Sequence, residues 1–383
     1  MTQIKLLNSK LTAPRHLNVI ERPRLYSILE SIKQKKLTLV IAGAGYGKTT
    51  LVAQAVDQAD WAAVWYSLDR SDIDFATFMN YLIQGIQKHY SIEGKISKDL
   101  LAGAFTSEKS REDFLVQFLS IIEKNIHDDM VIVLDDYYLV HESPEIRKSV
   151  EFMLQRLPLS VHMVIISRME PNLRVSKLRV MQELLEINED DLQFTMPEIE
   201  ELYSRLFDIP VSGKDIETLY EKTSGWAASL VLFCYMLKGK KNHEIAPSLC
   251  RLKGSHKYIF EYLEENIFEI QPSEMKNFML KTSLISRLDT QFCNTLLDID
   301  NSKELLDQLE KNHLLTFPLD SDRKVYYYHH LLTDFLQAKL AQLFDKKDVQ
   351  NLHFKIARLL EESGREYEAL NHYIKGKFFN EAA

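Results

Sequence analysis

Ala42-Gly43-Ala44-Gly45-Tyr46-Gly47-Lys48-Thr49-Thr50 joins an apolar run, Leu37 to Ala42, to a segment whose Leu51, Val52, Ala55 and Val56 share one helical face. Strand, glycine-rich turn and helix in that order predict a phosphate-binding loop. Glycines let the backbone curl so that consecutive N–H groups from Gly43 to Thr50 point at phosphate oxygens, and the following helix adds its positive N-terminal end. Lys48 is placed to reach the β- and γ-phosphates, and the Thr49 hydroxyl to ligate Mg²⁺. An accidental glycine-rich turn would need neither the strand before it nor the helix after it. The sequence therefore predicts binding of a nucleoside triphosphate.

A triphosphate site needs a second acidic strand end. Met130-Val131-Ile132-Val133-Leu134 is a continuous apolar run, as expected of a strand covered on both faces, and it ends in Asp135-Asp136. Asp135 is expected to hold Mg²⁺ directly or through water, and Asp136 to orient or polarise an attacking water. The plain alternative is a pair of acids that ends a strand and solvates a turn.

The 383 residues suit two to three domains, and 45% hydrophobic with 27% charged residues is ordinary for a globular protein. A formal charge of −8 argues against a broad nucleic-acid footprint, which needs a local surplus of Lys and Arg. Cys234, Cys250 and Cys293 are scattered without C-x-x-C spacing, so they read as core residues in a reducing compartment. No secretory signal precedes the first motif, and the longest apolar stretch, Trp226 to Leu237, is too short to span a bilayer. A cytoplasmic protein with no membrane partner is expected.

Strand and helix patterns alternate through the first half. Ala63 to Leu68, Val161 to Ser167 and Glu183 to Ile187 read as further strands, with helices at Phe75 to Ile86, Arg111 to Ile126 and Ser143 to Leu157. Residues 91–110 read as a surface loop or frayed helix. One strand lies between the phosphate-loop strand and the Asp135 strand, a count that resembles the additional-strand class of P-loop ATPases. That resemblance implies an α/β P-loop NTPase fold with parallel sheet order 5-1-4-3-2. It also puts Arg168 at the sensor position beside the γ-phosphate; otherwise Arg168 is a solvated strand-end arginine.

After Thr195 the pattern turns helical. From Ser273 three helices precede a hairpin made of Leu314 to Phe317 and Val325 to Tyr328, which reads as a winged helix. Its third helix, Ser302 to Asn312, carries Glu304, Asp307 and Glu310 and would repel DNA phosphates. Leu352 to Glu362 and Tyr367 to Ile374 start a helix–turn–helix repeat, and the chain stops partway into it, so a longer parent is expected.

Jointly, LLNSKLTAP at 6–14, ERPRL at 21–25, AGYGKTTL at 44–51, WYSLD at 65–69, VLDDYYLV at 133–140, IISR at 165–168, TSGWAASL at 223–230 and YYHHLLTDFL at 327–336 resemble the STAND class of signal-transduction ATPases. The likeness is specifically to MalT-type large ATP-binding regulators of the LuxR family. It implies a nucleotide-binding domain over 1–195, a helical domain over 196–268, a winged helix over 269–345 and the start of a TPR-like arm over 346–383. By position, Ile20 and Arg22 would meet the adenine and ribose, and His329 the ADP β-phosphate in a closed resting state; on its own, His329 between tyrosines reads as a packed wing residue. The family's Gly-x-Pro motif reads Gly225-Trp226-Ala227 here.

Implied, too, are ATP/ADP with Mg²⁺ as cofactors, self-association in the ATP state, at most slow ATP hydrolysis, an inducer acting through a C-terminal repeat domain, and DNA contact only through a C-terminal helix-turn-helix. An AAA+-type oligomeric ATPase that remodels a partner, and a nucleotide-locked scaffold without turnover, are the competing readings.

Overall fold

The computed structural model describes residues 7–14, 19–59, 61–90, 92, 107–250 and 253–380. Contacts divide the chain into two compact units, with the division between Gln193 and Phe194.

In the first unit the strands β1 (Leu37–Ile41), β2 (Ala62–Ser67), β3 (Met130–Asp135), β4 (Val161–Ser167) and β5 (Leu184–Ile187) alternate with the helices α1 (Pro23–Glu30), α2 (Lys48–Gln58), α3 (Phe75–Gln87), α4 (Glu108–Asn125), α5 (Pro144–Arg156), α6 (Ser176–Val180) and α7 (Glu189–Leu192). All pairings are parallel and the order is β2-β3-β4-β1-β5, which is 5-1-4-3-2 read from the other edge, as expected.

Burial explains the apolar runs. Ile132 and Leu134 of β3 join one core cluster with Phe75, Phe78 and Leu82 of α3, Phe114 and Phe118 of α4, and Ile146 and Val150 of α5. Val131 and Val133, on the opposite face, are buried as well. A strand covered on both sides has no polar face to alternate with. Each such side chain contributes about 1.5–3 kcal/mol on burial. Helix α3 comes so near β2 that a Cβ on Gly85 would lie 2.5 Å from Val64 Cγ1.

Most of the stretch 91–110 lies outside the described residues, but its end differs from expectation. Helix α4 starts at Glu108 rather than Arg111, because the Ser107 hydroxyl caps the Ser110 N–H. Ser143 and Pro144 open α5 as their chemistry predicts.

The second unit is helical with one small sheet. Helices Gly213–Thr223 and Ala227–Leu237 precede Ser273–Thr282, Thr290–Leu297 and Ser302–Lys311. The hairpin is β7 (Thr316–Pro318) with β8 (Val325–Tyr328), and β8 also pairs with β6 (Leu288–Asp289), an edge too short to carry a sequence signal. Two of the three acids of Ser302–Lys311 are engaged locally: Asp307 takes the Lys303 ammonium at 2.5 Å and Glu310 the Arg323 guanidinium at 3.1 Å, while Glu304 is exposed. Helices His330–Leu343, Lys346–Glu362 and Glu366–Gly376 complete the unit. Cys234 and Cys293 are free and buried. No described helix is long and apolar enough to cross a membrane.

Gly254 marks the tightest approach. A Cβ there would lie 1.8 Å from the Leu331 carbonyl oxygen, and the Gly254 N–H donates to Asp334 Oδ2 at 3.2 Å. Backbone cannot yield as a flexible side chain can, so Gly254→Ala is expected to destabilise this unit by about 3 kcal/mol. A thermal melt indistinguishable from wild type would show that the close approach is not maintained in solution.

Candidate functional site

The loop between β1 and α2 depends on two left-handed glycines, Gly45 at φ +77° and Gly47 at φ +81°. Nothing lies within 4 Å of where a Gly47 Cβ would be, so the backbone angle and not space requires glycine. Gly43 and Tyr46 are buried in the loop, and Ala44, Gly45 and Thr50 are half-buried. Lys48, the first residue of α2, is buried and its Nζ donates to the Gly43 carbonyl at 2.7 Å. Burial, together with the nearby Arg168 charge, pulls its ammonium down from 10.5 to about 8. A buried cation aimed across a loop of amides attracts an anion.

At the end of β3, Asp135 Oδ1 accepts from the Thr49 hydroxyl at 3.1 Å and from the Asp136 N–H at 3.0 Å. Burial and the adjacent Asp136 charge raise its carboxyl to about 6, so it is still ionised at neutral pH. The two oxygens, hydroxyl and carboxylate, are the hard donors Mg²⁺ takes. Asp136 stands at φ +55°, a left-handed position that turns the chain sharply off β3. Its carboxyl is raised by burial, against the lowering pull of Arg168 and Lys48. Arg168 follows β4 directly, with its guanidinium 5.2 Å from the Tyr138 ring centroid.

Thus the phosphate loop, Asp135, Asp136 and Arg168 converge at the carboxyl ends of β1, β3 and β4, which are neighbours only because the sheet order makes them so. Ile20 and Arg22 come to the same unit's α2 and α7. The Ile20 carbonyl accepts from Gln54 Nε2 of α2 at 3.2 Å, and Arg22 and Arg24 donate to the Gln193 carbonyl, Arg22 at 2.8 Å. Two residues in this region escaped the sequence reading, Tyr138 under Arg168 and Glu189, whose Oε1 accepts from the Gly43 N–H at 2.8 Å. An acid two residues past the strand that pairs with β1 was the available signal for Glu189.

His329 belongs to the second unit. It is buried, stacks on His330 with ring centroids 4.5 Å apart, and its Nδ1 accepts from the Leu331 N–H at 3.3 Å. Burial, with the His330 charge beside it, lowers the ring to about 3, so it is neutral at physiological pH. Because Nδ1 accepts, the proton sits on Nε2. That N–H is buried without a hydrogen-bonding partner, although the Thr223 carbonyl lies close enough to influence the ring.

Known proteins resemble this chain. Residues 263–348 match the MalT winged helix domain model. The HTH-type transcriptional regulator MalT of Vibrio cholerae is 28% identical over 375 residues, covering 95% of this chain and 40% of the relative. MalT of Yersinia pestis is 30% identical over 374 residues, covering 96% of this chain and 40% of that protein. The chain spans about 40% of the length of these curated relatives. Among solved structures, a Walker-type ATPase of Pyrococcus abyssi superposes with a TM-score of 0.52 and 13% identity over 83% of this chain and 95% of that one, a likeness of fold.

Proposed function

From a chain that is similar to MalT transcriptional regulators over 95% of its length, we propose an adenine-nucleotide switch within a longer regulator of transcription. The observation that carries the reading is the convergence of Lys48, Thr49, Asp135, Asp136 and Arg168 at one end of a parallel sheet. In this reading the loop amides of Gly43 to Thr50 and Lys48 bind the phosphates, and Thr49 with Asp135 holds Mg²⁺. Bound there, Mg²⁺ neutralises phosphate charge. Arg168 distinguishes three phosphates from two, Ile20 and Arg22 serve the base and ribose, and Asp136 positions the water for a slow hydrolysis that resets the switch.

His329 is proposed as a diphosphate contact of the resting state, and its buried Nε2–H, held by no more than a weak contact to the Thr223 carbonyl, supports that role. The division of the second unit at 196–268, 269–345 and 346–383 belongs to the same proposal, as do self-association in the ATP state, an inducer read by a repeat domain and DNA contact by a further helix-turn-helix.

Converting a closed population of 99% to an open one of 99% takes about 5.5 kcal/mol of differential binding. Charge-assisted hydrogen bonds of about 1.5–3 kcal/mol each supply it with a few contacts. Chromatography of nucleotide released on denaturing the purified protein tests the reading. Retained ADP, lost in His329→Ala, and larger species on exchange to ATP are expected. A purified protein that neither carries nor takes up adenine nucleotide removes the proposal; fast turnover in a ring would replace the switch with a remodelling ATPase.

A further inference from the structure

Glu189 lies inside the phosphate-loop region although nothing in the nucleotide reading uses it. Strand register brings it there. β1 pairs Val40 with Ile187 of β5, so the chain just past Ile187 emerges beside the start of the loop. Asn188 and Asp191 then close a reciprocal capping box, which fixes the turn in which Glu189 is the first helical residue. From that turn the Glu189 carboxylate accepts the Gly43 N–H at 2.8 Å, and its charge acts on Lys48. The amide at the start of an anion-binding loop is therefore already bound to an anion of the chain itself.

We propose that Glu189 is an internal competitor for the phosphate loop, a carboxylate that weakens nucleotide binding and weakens it more for a triphosphate than for a diphosphate. This inference rests on the nucleotide reading of the same site. Around the loop stand the cations Lys48 and Arg168 and the carboxylates of Asp135, Asp136 and Glu189, whose charges act on one another. An incoming phosphate must draw Lys48 from the Gly43 carbonyl against the pull of these carboxylates, and it meets Glu189 as a like charge at a part-buried contact, where such juxtaposition is unfavourable. ATP brings more negative charge than ADP and feels the repulsion more. In a switch whose resting state holds ADP, the carboxylate favours that state.

The test is calorimetric titration of the 383-residue chain with MgADP and MgATP, in wild type, Glu189→Gln and Glu189→Ala. Glutamine keeps a carbonyl acceptor for the Gly43 N–H and removes only the charge. In Glu189→Gln both dissociation constants should fall, the ATP constant by about tenfold and the ADP constant by less, and the gain should shrink as salt is raised. If Glu189→Gln matches wild type while Glu189→Ala binds more weakly, the side chain merely props the loop and the proposal is overturned. Equal gains for ADP and ATP would overturn the discrimination between them. A wild-type chain that binds neither nucleotide overturns the nucleotide reading and this inference together, whereas wild-type binding with unmoved constants in Glu189→Gln overturns this inference alone.

Discussion

Lys48→Met is expected to abolish nucleotide retention and, in the same protein, to raise the melting temperature of the nucleotide-free first unit. The two effects have one cause. Lys48 is buried at the first turn of α2, where its ammonium has lost water and shares space with the Arg168 charge. The fall in its pKa from 10.5 to about 8 corresponds to about 3 kcal/mol by which the fold disfavours the charged form at neutral pH. Methionine keeps most of the packing and removes that penalty, so a gain of a few degrees in melting temperature follows. Loss of the charge that meets the phosphates costs binding about 2–5 kcal/mol, roughly 30-fold to several thousandfold.

The sign with pH is definite. Between pH 8 and 10.5 the folded Lys48 has released its proton and the unfolded one has not, so wild-type stability gains relative to the variant as pH rises through that window. The difference in melting temperature between Lys48→Met and wild type should therefore be largest below pH 8 and shrink above it. Melts with and without MgADP on both proteins check all of this. A variant that still retains nucleotide, or that melts below wild type at pH 7, contradicts the assignment of Lys48 as a strained, phosphate-directed cation.

What could be read from the sequence, and what could not, divides by distance along the chain. The phosphate loop is a property of consecutive residues, and its glycine angles, its strand and its helix are set by neighbours. β3 and β4 were legible for the same reason, since a fully buried strand declares itself as an apolar run. The sheet order followed from counting strands and from a resemblance. By contrast, the Glu189 contact to Gly43 depends on the register between β1 and β5, and Arg22 finds its acceptor at Gln193 only through the tertiary fold. The proton position on His329 is fixed by the Leu331 N–H, a backbone orientation that no periodicity encodes. Two π-helical turns, Leu202–Leu206 and Glu264–Phe268, likewise interrupt segments whose apolar pattern reads as plain helix.

The segment preceding the loop shows how such hidden contacts carry stability, and Lys10→Met is expected to be the most destabilising single charge removal in the first unit. Two of the motifs quoted for the family resemblance, LLNSKLTAP and WYSLD, turn out to be ends of one ionic cluster. Lys10 Nζ lies 2.9 and 2.7 Å from the two Asp72 carboxylate oxygens and 2.7 Å from Asp69 Oδ2. Asp72 is wholly buried, and its Oδ2 also accepts the Asp69 N–H at 2.7 Å. Burial works to lower the Lys10 pKa, yet the hydrogen bonds to Asp69 and Asp72 outweigh it and hold the ammonium above its ordinary value. Beside it, Leu7 N–H donates to the Tyr81 hydroxyl at 3.1 Å and Lys88 Nζ to the Leu11 carbonyl at 3.2 Å, so the strap is pinned along α3.

Removing Lys10 leaves the Asp72 carboxylate buried without its cation, which costs about 3–5 kcal/mol, a large share of the 5–15 kcal/mol typical of a domain. The first unit should melt roughly 6–20 °C lower. Replacing both partners, Lys10→Met with Asp72→Leu, removes the stranded charge and should recover much of the loss, with a coupling energy of about 1–3 kcal/mol between the two sites. If Lys10→Met melts within a degree or so of wild type, or if the double variant is as unstable as the two single losses added together, the strap is a surface pairing and the cluster does not hold the N-terminal segment against α3.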